Sequence, residues 1–268
     1  MKQPIILSIA GSDTLAGAGL QADLKTIHAL GGYAVTVTTA ITAQNFAGVQ
    51  AVYPLPSDQV AAQLDSLLSN VQIDAIKIGQ LASAKIIQVL SQSLQGLHCP
   101  IVLDPVLVSS SGQALLSESA HSTLIKQLLP LASIITPNIP EVNTLLGTDF
   151  KGLANQMADI GRAFFALGVQ AVLVKGGHSL DDQAVDYLLL PNQAPQAFSS
   201  PRIANLHVKG TGCALSSALA FYLSQGNSLE KAVEQAKAFL FQHLAQAHFA
   251  QLNQPVDSPR LINPSLSG

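Results

Sequence analysis

The segment Lys209-Gly210-Thr211-Gly212-Cys213 combines residue types that could bind a phosphate group and activate an acceptor. Its two glycines let the backbone turn sharply and approach a ligand closely. The small and apolar residues from Ala214 to Leu223 that follow predict a buried helix. A glycine-rich turn before a helix presents unpaired N–H groups and a partial positive charge. The segment therefore predicts an anion-binding helix N-terminus.

Cys213 falls in the first turn of this predicted helix. The helix dipole favours a thiolate at that position, so Cys213 is a candidate base or nucleophile. The alternative interpretation is a glycine-containing loop ahead of a core helix, with Cys213 as a small buried residue. The segment alone does not decide between the two.

Oxygen-bearing and cationic side chains follow other predicted strands. Asn138 and Glu141 are three residues apart, on one face of a helical turn, and with Asp104 they would suit Mg²⁺. The alternative is an ordinary helix start, in which Asn138 is the N-cap and Glu141 completes a capping box. Lys175 ends an apolar run before two glycines, where it is either a nucleotide-phosphate ligand or a solvated lysine.

The elements that must position these residues alternate along the chain between short apolar runs and helical patterns. Predicted strands span residues 5–10, 34–41, 50–53, 73–78, 101–104, 134–136, 171–175 and 185–190. Predicted helices span 19–30, 57–69, 83–94, 117–128, 152–167, 211–224 and 228–248. The alternation predicts an α/β fold with a central, mostly parallel sheet and helices on both faces, which binds ligands at the carboxyl ends of its strands. Strands 34–41 and 50–53 are close enough in sequence to form an edge hairpin instead.

Composition limits the classes of function. The chain has 268 residues, 48% of them hydrophobic and 11% charged, with a net charge of −3 and no cluster of basic residues. We therefore expect one domain over 1–268, with a loosely packed tail after about residue 251, and no nucleic-acid partner. Two cysteines fit a reducing compartment, and no apolar run approaches the roughly 20 residues of a membrane span. We expect a cytoplasmic protein.

Seven motifs in order, from about residue 5 to residue 225, resemble the hydroxymethylpyrimidine/phosphomethylpyrimidine kinases of thiamin biosynthesis. They are Ala10-Gly11-Ser12-Asp13, Gly17-Ala18-Gly19-Leu20-Gln21-Ala22-Asp23-Leu24-Lys25, Thr42-Ala43-Gln44-Asn45, Asp104-Pro105-Val106, Thr136-Pro137-Asn138-Ile139-Pro140-Glu141, Val174-Lys175-Gly176-Gly177-His178 and Gly210-Thr211-Gly212-Cys213. The resemblance implies a ribokinase-like fold, ATP, Mg²⁺ and a homodimer. It implies transfer of the γ-phosphoryl group to the hydroxymethyl group of the pyrimidine or to its existing phosphate.

The resemblance also implies roles for individual residues. Asp23 and Gln44 would hydrogen-bond the aminopyrimidine, and the amides of Gly210, Thr211 and Gly212 would form the anion hole. Cys213 would occupy the position of the catalytic Asp of related sugar kinases. The remaining implied residues are Gly11, Gln80 and Val106 for the acceptor, Lys175, Asn138 and Thr211 for ATP, and Asp104, Asn138 and Glu141 for the metal.

Departures from the family pattern affect the acceptor more than the reaction. Gln80 and Leu107 stand where the family often has Met, Ser110 where it often has Lys, and Leu15 and Ala16 interrupt a glycine-rich loop. An unpaired buried amide is costly, so Gln80 is predicted to favour the phosphorylated acceptor, which offers more oxygens. Two alternatives remain: a pyridoxal/pyridoxine kinase, which shares the fold and some of these motifs, and a non-catalytic pyrimidine- or nucleotide-binding module.

Overall fold

The computed structural model describes residues 3–109, 112–176, 183–203, 208–245 and 259–264. Its main sheet has nine strands in the order β3-β2-β1-β4-β5-β6-β7-β8-β9. The strands are β1 (Ile5–Asp13), β2 (Tyr33–Asn45), β3 (Gly48–Pro54), β4 (Ala75–Ile78), β5 (Ile101–Leu103), β6 (Ile134–Ile135), β7 (Val172–Val174), β8 (Gln183–Leu189) and β9 (Gln196–Pro201). From β2 to β7 every neighbouring pair is parallel, whereas β3, β8 and β9 join antiparallel at the two edges. The predicted α/β fold and the edge hairpin formed by β2 and β3 are confirmed.

In the ranges that the structure describes, eight α-helices connect and cover the strands. They are α1 (Gly19–Ala29), α2 (Ser57–Leu68), α3 (Ala84–Leu94), α4 (Glu118–Thr123), α5 (Ile139–Leu146), α6 (Met157–Ala166), α7 (Thr211–Ser224) and α8 (Leu229–Ala245). A short second sheet pairs β10 (Val208–Lys209) with β11 (Arg260–Leu261).

Each face of the sheet has its own hydrophobic core. Along β1, Leu7 and Ile9 belong to the core that includes buried residues of α2, α3 and α6, while Ile6 belongs to the core that includes buried residues of α1, α7 and α8. Successive side chains of a strand point to opposite faces, so this alternation within an apolar run buries both faces. The segment 211–224 begins and ends as predicted and contains a nearly continuous row of buried residues. This burial holds α7 in place directly after the glycine-rich turn.

Several predicted boundaries are wrong for identifiable reasons. The single helix predicted over 117–128 changes into a π-helical turn at Leu124–Leu128, just before Pro130, which lacks the N–H that a continuing helix needs. The helix predicted from residue 152 begins at Met157, preceded by a 3₁₀ turn at Ala154–Gln156. The predicted end of α8 at residue 248 and most of the tail lie outside the described residues.

Helix α5, strand β9 and the two-residue strands β10 and β11 have no counterpart in the sequence-based prediction. Helix α5 has only eight residues, too few for an apolar period to be recognised, and its start is marked only by the Asn138–Glu141 pair. Strand β9 is an edge strand whose residues Gln-Ala-Phe-Ser-Ser-Pro lack the β-branched side chains that usually indicate a strand. Its pairing with β8 supplies the signal that local sequence lacks.

Candidate active site

A cavity of about 820 Å³ lies at the carboxyl ends of the parallel strands and the N-terminus of α7. Strand ends are where the sheet rule places ligands, because the loops that follow them leave a crevice there. Nearly all the residues predicted for the site line this cavity: Gly11, Gln44, Gln80, Asp104, Val106, Asn138, Glu141, Lys175, Gly210, Thr211, Gly212 and Cys213.

The N-terminus of α7 opens into the cavity. Gly210 is the N-cap, with a φ of 87°, and a Cβ at this position would collide with the carbonyl oxygen of Gly17. The first helical hydrogen bond runs from the N–H of Ala214 to the carbonyl of Gly210, 2.8 Å apart. The N–H groups of residues 211 to 213 precede that bond and have no acceptor within the helix. The turn therefore has the geometry of an anion hole.

The thiol of Cys213 differs from the sequence-based expectation. Burial raises its pKa to about 11, and the carboxylates of Asp23 and Asp104 add to the rise. The Lys77 ammonium and a hydrogen bond with the Gly19 backbone act in the opposite direction without reversing it. The expectation that the helix N-terminus makes Cys213 a ready thiolate is therefore wrong for this structure, and the thiol is protonated at neutral pH.

Asp104, Lys175 and Glu141 form a charged cluster beside the anion hole. The Lys175 Nζ lies 2.6 Å from Asp104 Oδ1 and 3.7 Å from Glu141 Oε2. A Cβ on Gly212 would be 3.5 Å from that Nζ and 3.6 Å from Asp104 Oδ2, so glycine lets the helix approach both groups. Burial raises the pKa of Glu141 to about 7, with Lys175 opposing and Asp104 adding to the rise. Two carboxylates here already share one cation.

Asn138 and Glu141 also form the capping box that was the alternative interpretation. Asn138 Oδ1 accepts from the Glu141 N–H, and Glu141 Oε2 accepts from the Asn138 N–H, both at 2.8 Å. One lone pair of the Asn138 amide oxygen therefore caps α5, while its second lone pair and the amide N–H₂ group remain for a ligand. The N–H₂ group suits a phosphate oxygen.

Asp23 does not line the cavity, and its predicted contact with the pyrimidine is wrong for this structure. Its side chain is fully buried, and its two oxygens accept hydrogen bonds from Lys77, Ser8 and Ser217. The motif placed Asp23 correctly on α1, but the side chain points toward β4 and α7 rather than the ligand space. A carboxylate with all its acceptor positions occupied has no capacity left for an aminopyrimidine.

Lys77 is a cavity-lining residue that sequence reasoning missed. It is fully buried in the middle of β4, and its Nζ lies 2.7 and 2.8 Å from the two oxygens of Asp23. Burial opposes its charge, but the charge of Asp23, its hydrogen bonds and the other acidic groups nearby together outweigh burial, so the pKa of Lys77 lies above its usual value. The sequence feature that could have identified Lys77 is its position inside the apolar run Ala75–Ile78, because a buried ammonium requires a buried partner.

The acceptor side of the cavity is built around Gly11. A Cβ there would collide with the Gln80 side-chain oxygen, so only glycine allows β1 and Gln80 to lie this close. Gln80 is 8% exposed, and its Nε2 has no hydrogen-bond partner in the described part of the chain. Gln44 Nε2 lies 3.5 Å from Asp13 Oδ2, and the Val106 N–H donates to the Asp104 carbonyl. Among these acceptor-side residues, Gln80 is therefore the one with a buried amide nitrogen that a ligand could bond.

The loop that contains Leu15 and Ala16 is short, because β1 continues to Asp13 and α1 begins at Gly19. The Asp13 carboxylate accepts from the backbone N–H groups of Leu15, Gly17 and Ala18, each at 2.9 Å. These bonds hold the loop against the N-terminus of α1. Asp13, the last residue of the motif Ala10-Gly11-Ser12-Asp13, therefore organises this loop, a role that the sequence analysis did not predict.

The opposite end of the cavity is more apolar. Leu240, Phe241 and Leu244 of α8 line it together with a buried ion pair, in which Lys237 Nζ lies 2.6 Å from Asp186 Oδ2. The other oxygen of Asp186 accepts from the Gly176 N–H at 3.0 Å. None of these residues was predicted for the site, since the segment 183–189 and helix α8 each read as ordinary secondary structure. Gly177 and His178 of the neighbouring motif lie outside the described residues.

No group of three or more His, Cys, Asp or Glu side chains arranged to hold a metal occurs among the residues described. In the same ranges, no helix has the length and apolar character needed to cross a bilayer.

Comparisons with known proteins agree with the geometry. The family model described as phosphomethylpyrimidine kinase matches residues 13–257. A hydroxymethylpyrimidine/phosphomethylpyrimidine kinase of Salmonella typhimurium is 46% identical over 251 residues, covering 93% of this chain and 94% of that protein.

Two solved structures are similar to the chain. The crystal structure of a phosphomethylpyrimidine kinase from Clostridium difficile has a TM-score of 0.79 at 40% identity and covers 90% of this chain and 100% of its own. An ADP complex of Bacillus subtilis pyridoxal kinase has a TM-score of 0.87 at 32% identity and covers 99% of both chains.

Proposed function

The chain belongs to the phosphomethylpyrimidine kinase family, and from this premise we propose that it phosphorylates 4-amino-5-hydroxymethyl-2-methylpyrimidine phosphate to the diphosphate, with ATP, in thiamin biosynthesis. It is a phosphotransferase with a ribokinase-like fold. The observation that best supports the proposal is the position of the anion hole of α7. It lies in the same cavity as the charged cluster and the acceptor-side residues.

Phosphoryl transfer is mostly positioning and neutralisation of charge, so the main work falls on groups that hold phosphate oxygens. The backbone N–H groups of Gly210, Thr211 and Gly212 would receive the charge that develops on the transferred group. Lys175 would contact a nucleotide phosphate from the side of the charged cluster, with the Asn138 amide N–H₂ beside it. Both residues lie at ends of neighbouring strands, where Asn138 forms an isolated bridge with Lys175.

Asp104 and Glu141 would hold Mg²⁺. Their carboxylates fit a hard cation because carboxylate oxygens are the ligands that Mg²⁺ takes, and both residues line the cavity. A bound Mg²⁺ would supply neutralisation of phosphate charge. Ionisation of Glu141, whose pKa lies at about 7, would prepare the pair for the cation.

On the acceptor side, Gln44, Gln80 and the backbone at Gly11 and Val106 would contact the pyrimidine. Asp23 would act through Lys77, by keeping that buried ammonium in place next to Cys213. Cys213 would accept the proton of an alcohol acceptor only as the thiolate, a form that its raised pKa makes a minor one at neutral pH. A phosphate acceptor is largely a dianion at neutral pH and requires no such proton transfer.

Location and assembly are part of the same proposal. A cytoplasmic location is supported by the use of only two cysteines, both free. A homodimer is supported by the cross-strand pair Ile41 and Tyr53 on β2 and β3, which are 47% and 61% exposed. A contiguous apolar pair at a sheet edge is a typical contact surface.

The product of the reaction tests the proposed function. Purified protein is incubated with Mg-ATP and the pyrimidine phosphate, and the products are identified by mass spectrometry and phosphorus NMR. We expect a pyrimidine diphosphate and one equivalent of ADP. Pyridoxal is the matched alternative acceptor, because pyridoxal kinases are among the structural neighbours. Absence of a diphosphate product in the presence of active nucleotide binding would contradict the proposal and favour a binding module.

A further inference from the structure

Lys209 is the residue of the cavity wall whose charge the described structure leaves uncompensated. It is 8% exposed and lies at the end of β10, immediately before the anion hole. Within the described ranges, no hydrogen bond or ion pair engages its ammonium. Its side chain is mostly buried, but its Nζ is not among the fully buried atoms without a partner, so the ammonium keeps access to the open space of the cavity that Lys209 lines and is available to an anion there.

The other lysines that line the cavity are already paired. Lys77 is bound by Asp23, Lys175 by Asp104 and Lys237 by Asp186, at 2.6 to 2.8 Å. Their positive charges are therefore largely cancelled before any ligand enters. A phosphorylated acceptor and a nucleotide would both bring several negative charges into the same cavity. Lys209 provides a positive charge that remains available to them.

The backbone of Lys209 is held in a defined position. Lys209 pairs with Leu261 in the short sheet of β10 and β11. A Cβ on Gly17 would lie 2.7 Å from the Leu261 side chain, so this sheet packs directly on the loop that follows β1. The next residue, Gly210, approaches the carbonyl of Gly17 so closely that a Cβ would not fit. Lys209 is thus fixed between that loop and the N-terminus of α7.

We propose that Lys209 binds a phosphate oxygen of the bound substrates beside the anion hole of α7. The inference rests on the proposed function and adds a specific phosphate ligand to it. The phosphate has two sources, the nucleotide and the phosphorylated pyrimidine. An ammonium next to the helix N-terminus adds a full charge to the partial charge of the dipole, where both act on the same anion.

Binding measurements on matched variants test this proposal. Calorimetry compares ADP, the pyrimidine phosphate and the uncharged hydroxymethylpyrimidine on wild type, Lys209→Met, Lys209→Arg and Lys126→Met. Lys126 is an exposed lysine of the π-helical turn, so its variant has the same change in net charge far from the phosphate site. We expect Lys209→Met to weaken binding of at least one phosphate ligand by about 10- to 100-fold, as for loss of a charge-assisted hydrogen bond.

The comparison of the ligands shows which substrate supplies the phosphate that Lys209 binds. A loss confined to ADP assigns Lys209 to the nucleotide, and a loss confined to the pyrimidine phosphate assigns it to the acceptor. Lys209→Arg keeps the charge and is expected to retain most of the affinity, while Lys126→Met and the uncharged pyrimidine show no change. Unchanged affinity of Lys209→Met for both phosphate ligands overturns the proposal.

Thermal unfolding separates ligand binding from a structural role. Without ligand, Lys209→Met should be about as stable as wild type, because no hydrogen bond or ion pair of the ammonium is lost within the described ranges, and its stabilisation by ADP or pyrimidine phosphate should be reduced. A clear loss of stability in the unliganded variant overturns the proposal, since Lys209 would then be structural. If wild type forms no pyrimidine diphosphate, the proposed function fails, but ADP binding still decides the role of Lys209.

Discussion

Cys213 has a helix N-terminus behind it and yet keeps its proton more tightly than a free cysteine. The dipole of α7 favours a thiolate, but burial and the carboxylates of Asp23 and Asp104 outweigh it and raise the pKa to about 11. At neutral pH the residue therefore carries a thiol. An acceptor that already carries a negative charge can react without transferring a proton to it, whereas an alcohol cannot.

Replacement of Cys213 should therefore depend on the acceptor. We expect Cys213→Ala to lower kcat with the pyrimidine alcohol by about 10²- to 10⁴-fold, as for loss of a positioned base, and with the pyrimidine phosphate by less than about tenfold. The KM for ATP should change little. Steady-state kinetics with both acceptors measure this, and Cys99→Ala is the control, since Cys99 packs against the hydrophobic core away from the cavity. Equal losses with both acceptors would contradict the assignment of Cys213 to proton transfer.

Gln80 is the second residue at which the acceptor is selected. Its Nε2 is buried without a partner, and an unsatisfied amide of this kind costs about 1–3 kcal/mol. A phosphate oxygen that reaches it would recover this cost, so wild type should prefer the pyrimidine phosphate over the alcohol. We expect Gln80→Met to reduce that preference in kcat/KM by about 10-fold or more, by loss of one hydrogen bond to a charged group. The same preference in both proteins would remove Gln80 as a selector.

Glycine-containing motifs made the site largely predictable at the level of single residues. Gly210 and Gly212 are required by close approach of backbone, so the sequence carries their role directly. The direction of Asp23 and the pairing of Lys77 were not predictable. They depend on which side chains α1, β4 and α7 bring together, and residues 23, 77 and 217 are far apart in the chain.

At the scale of elements, the buried pair of Lys77 and Asp23 joins β4 to α1, and Ser217 extends the contact to α7. The pair lies beneath the cavity and holds together the three elements that carry its acceptor side and its anion hole. Breaking a buried ion pair leaves an unpaired charge, which is far more costly than losing an exposed pair.

We expect Lys77→Met to lower the free energy of unfolding by about 3–5 kcal/mol. The double variant Lys77→Met with Asp23→Asn should recover a substantial part of this loss, because no charge then remains unpaired. Urea denaturation measures both, and Lys231→Met is the control. Lys231 forms an exposed pair with Glu234 at 2.8 Å, and its loss should cost less than about 1 kcal/mol. A loss below about 1 kcal/mol for Lys77→Met would contradict the role given to the pair.

The sheet strands from β1 to β8 were predictable because they are apolar runs in a regular alternation with helices. Strand β9 and helix α5 were not, since each is defined by neighbours rather than by its own periodicity. Helix α7 was predicted to the residue. It is a run of mostly small and apolar residues, nearly all buried, that follows a glycine-rich turn and ends before Gly226, so its two ends are marked in the sequence.

At the scale of the whole molecule, the chain combines a small negative net charge with a cavity whose lysines are mostly neutralised by buried carboxylates. Attraction of phosphates therefore relies on local groups at the strand ends and at the start of α7. In the proposed function the acceptor and the nucleotide share one cavity of about 820 Å³. The acceptor that this cavity prefers therefore distinguishes a pyrimidine kinase from a pyridoxal kinase.

The most direct test of the account is therefore the ratio of kcat/KM for ADP release with the pyrimidine phosphate to that with pyridoxal, measured in the same coupled assay with Mg-ATP. We expect the pyrimidine phosphate to be preferred, since Gln80, Lys209 and the anion hole can all engage its phosphate. A ratio at or below one would contradict the assignment of this chain as a pyrimidine phosphate kinase.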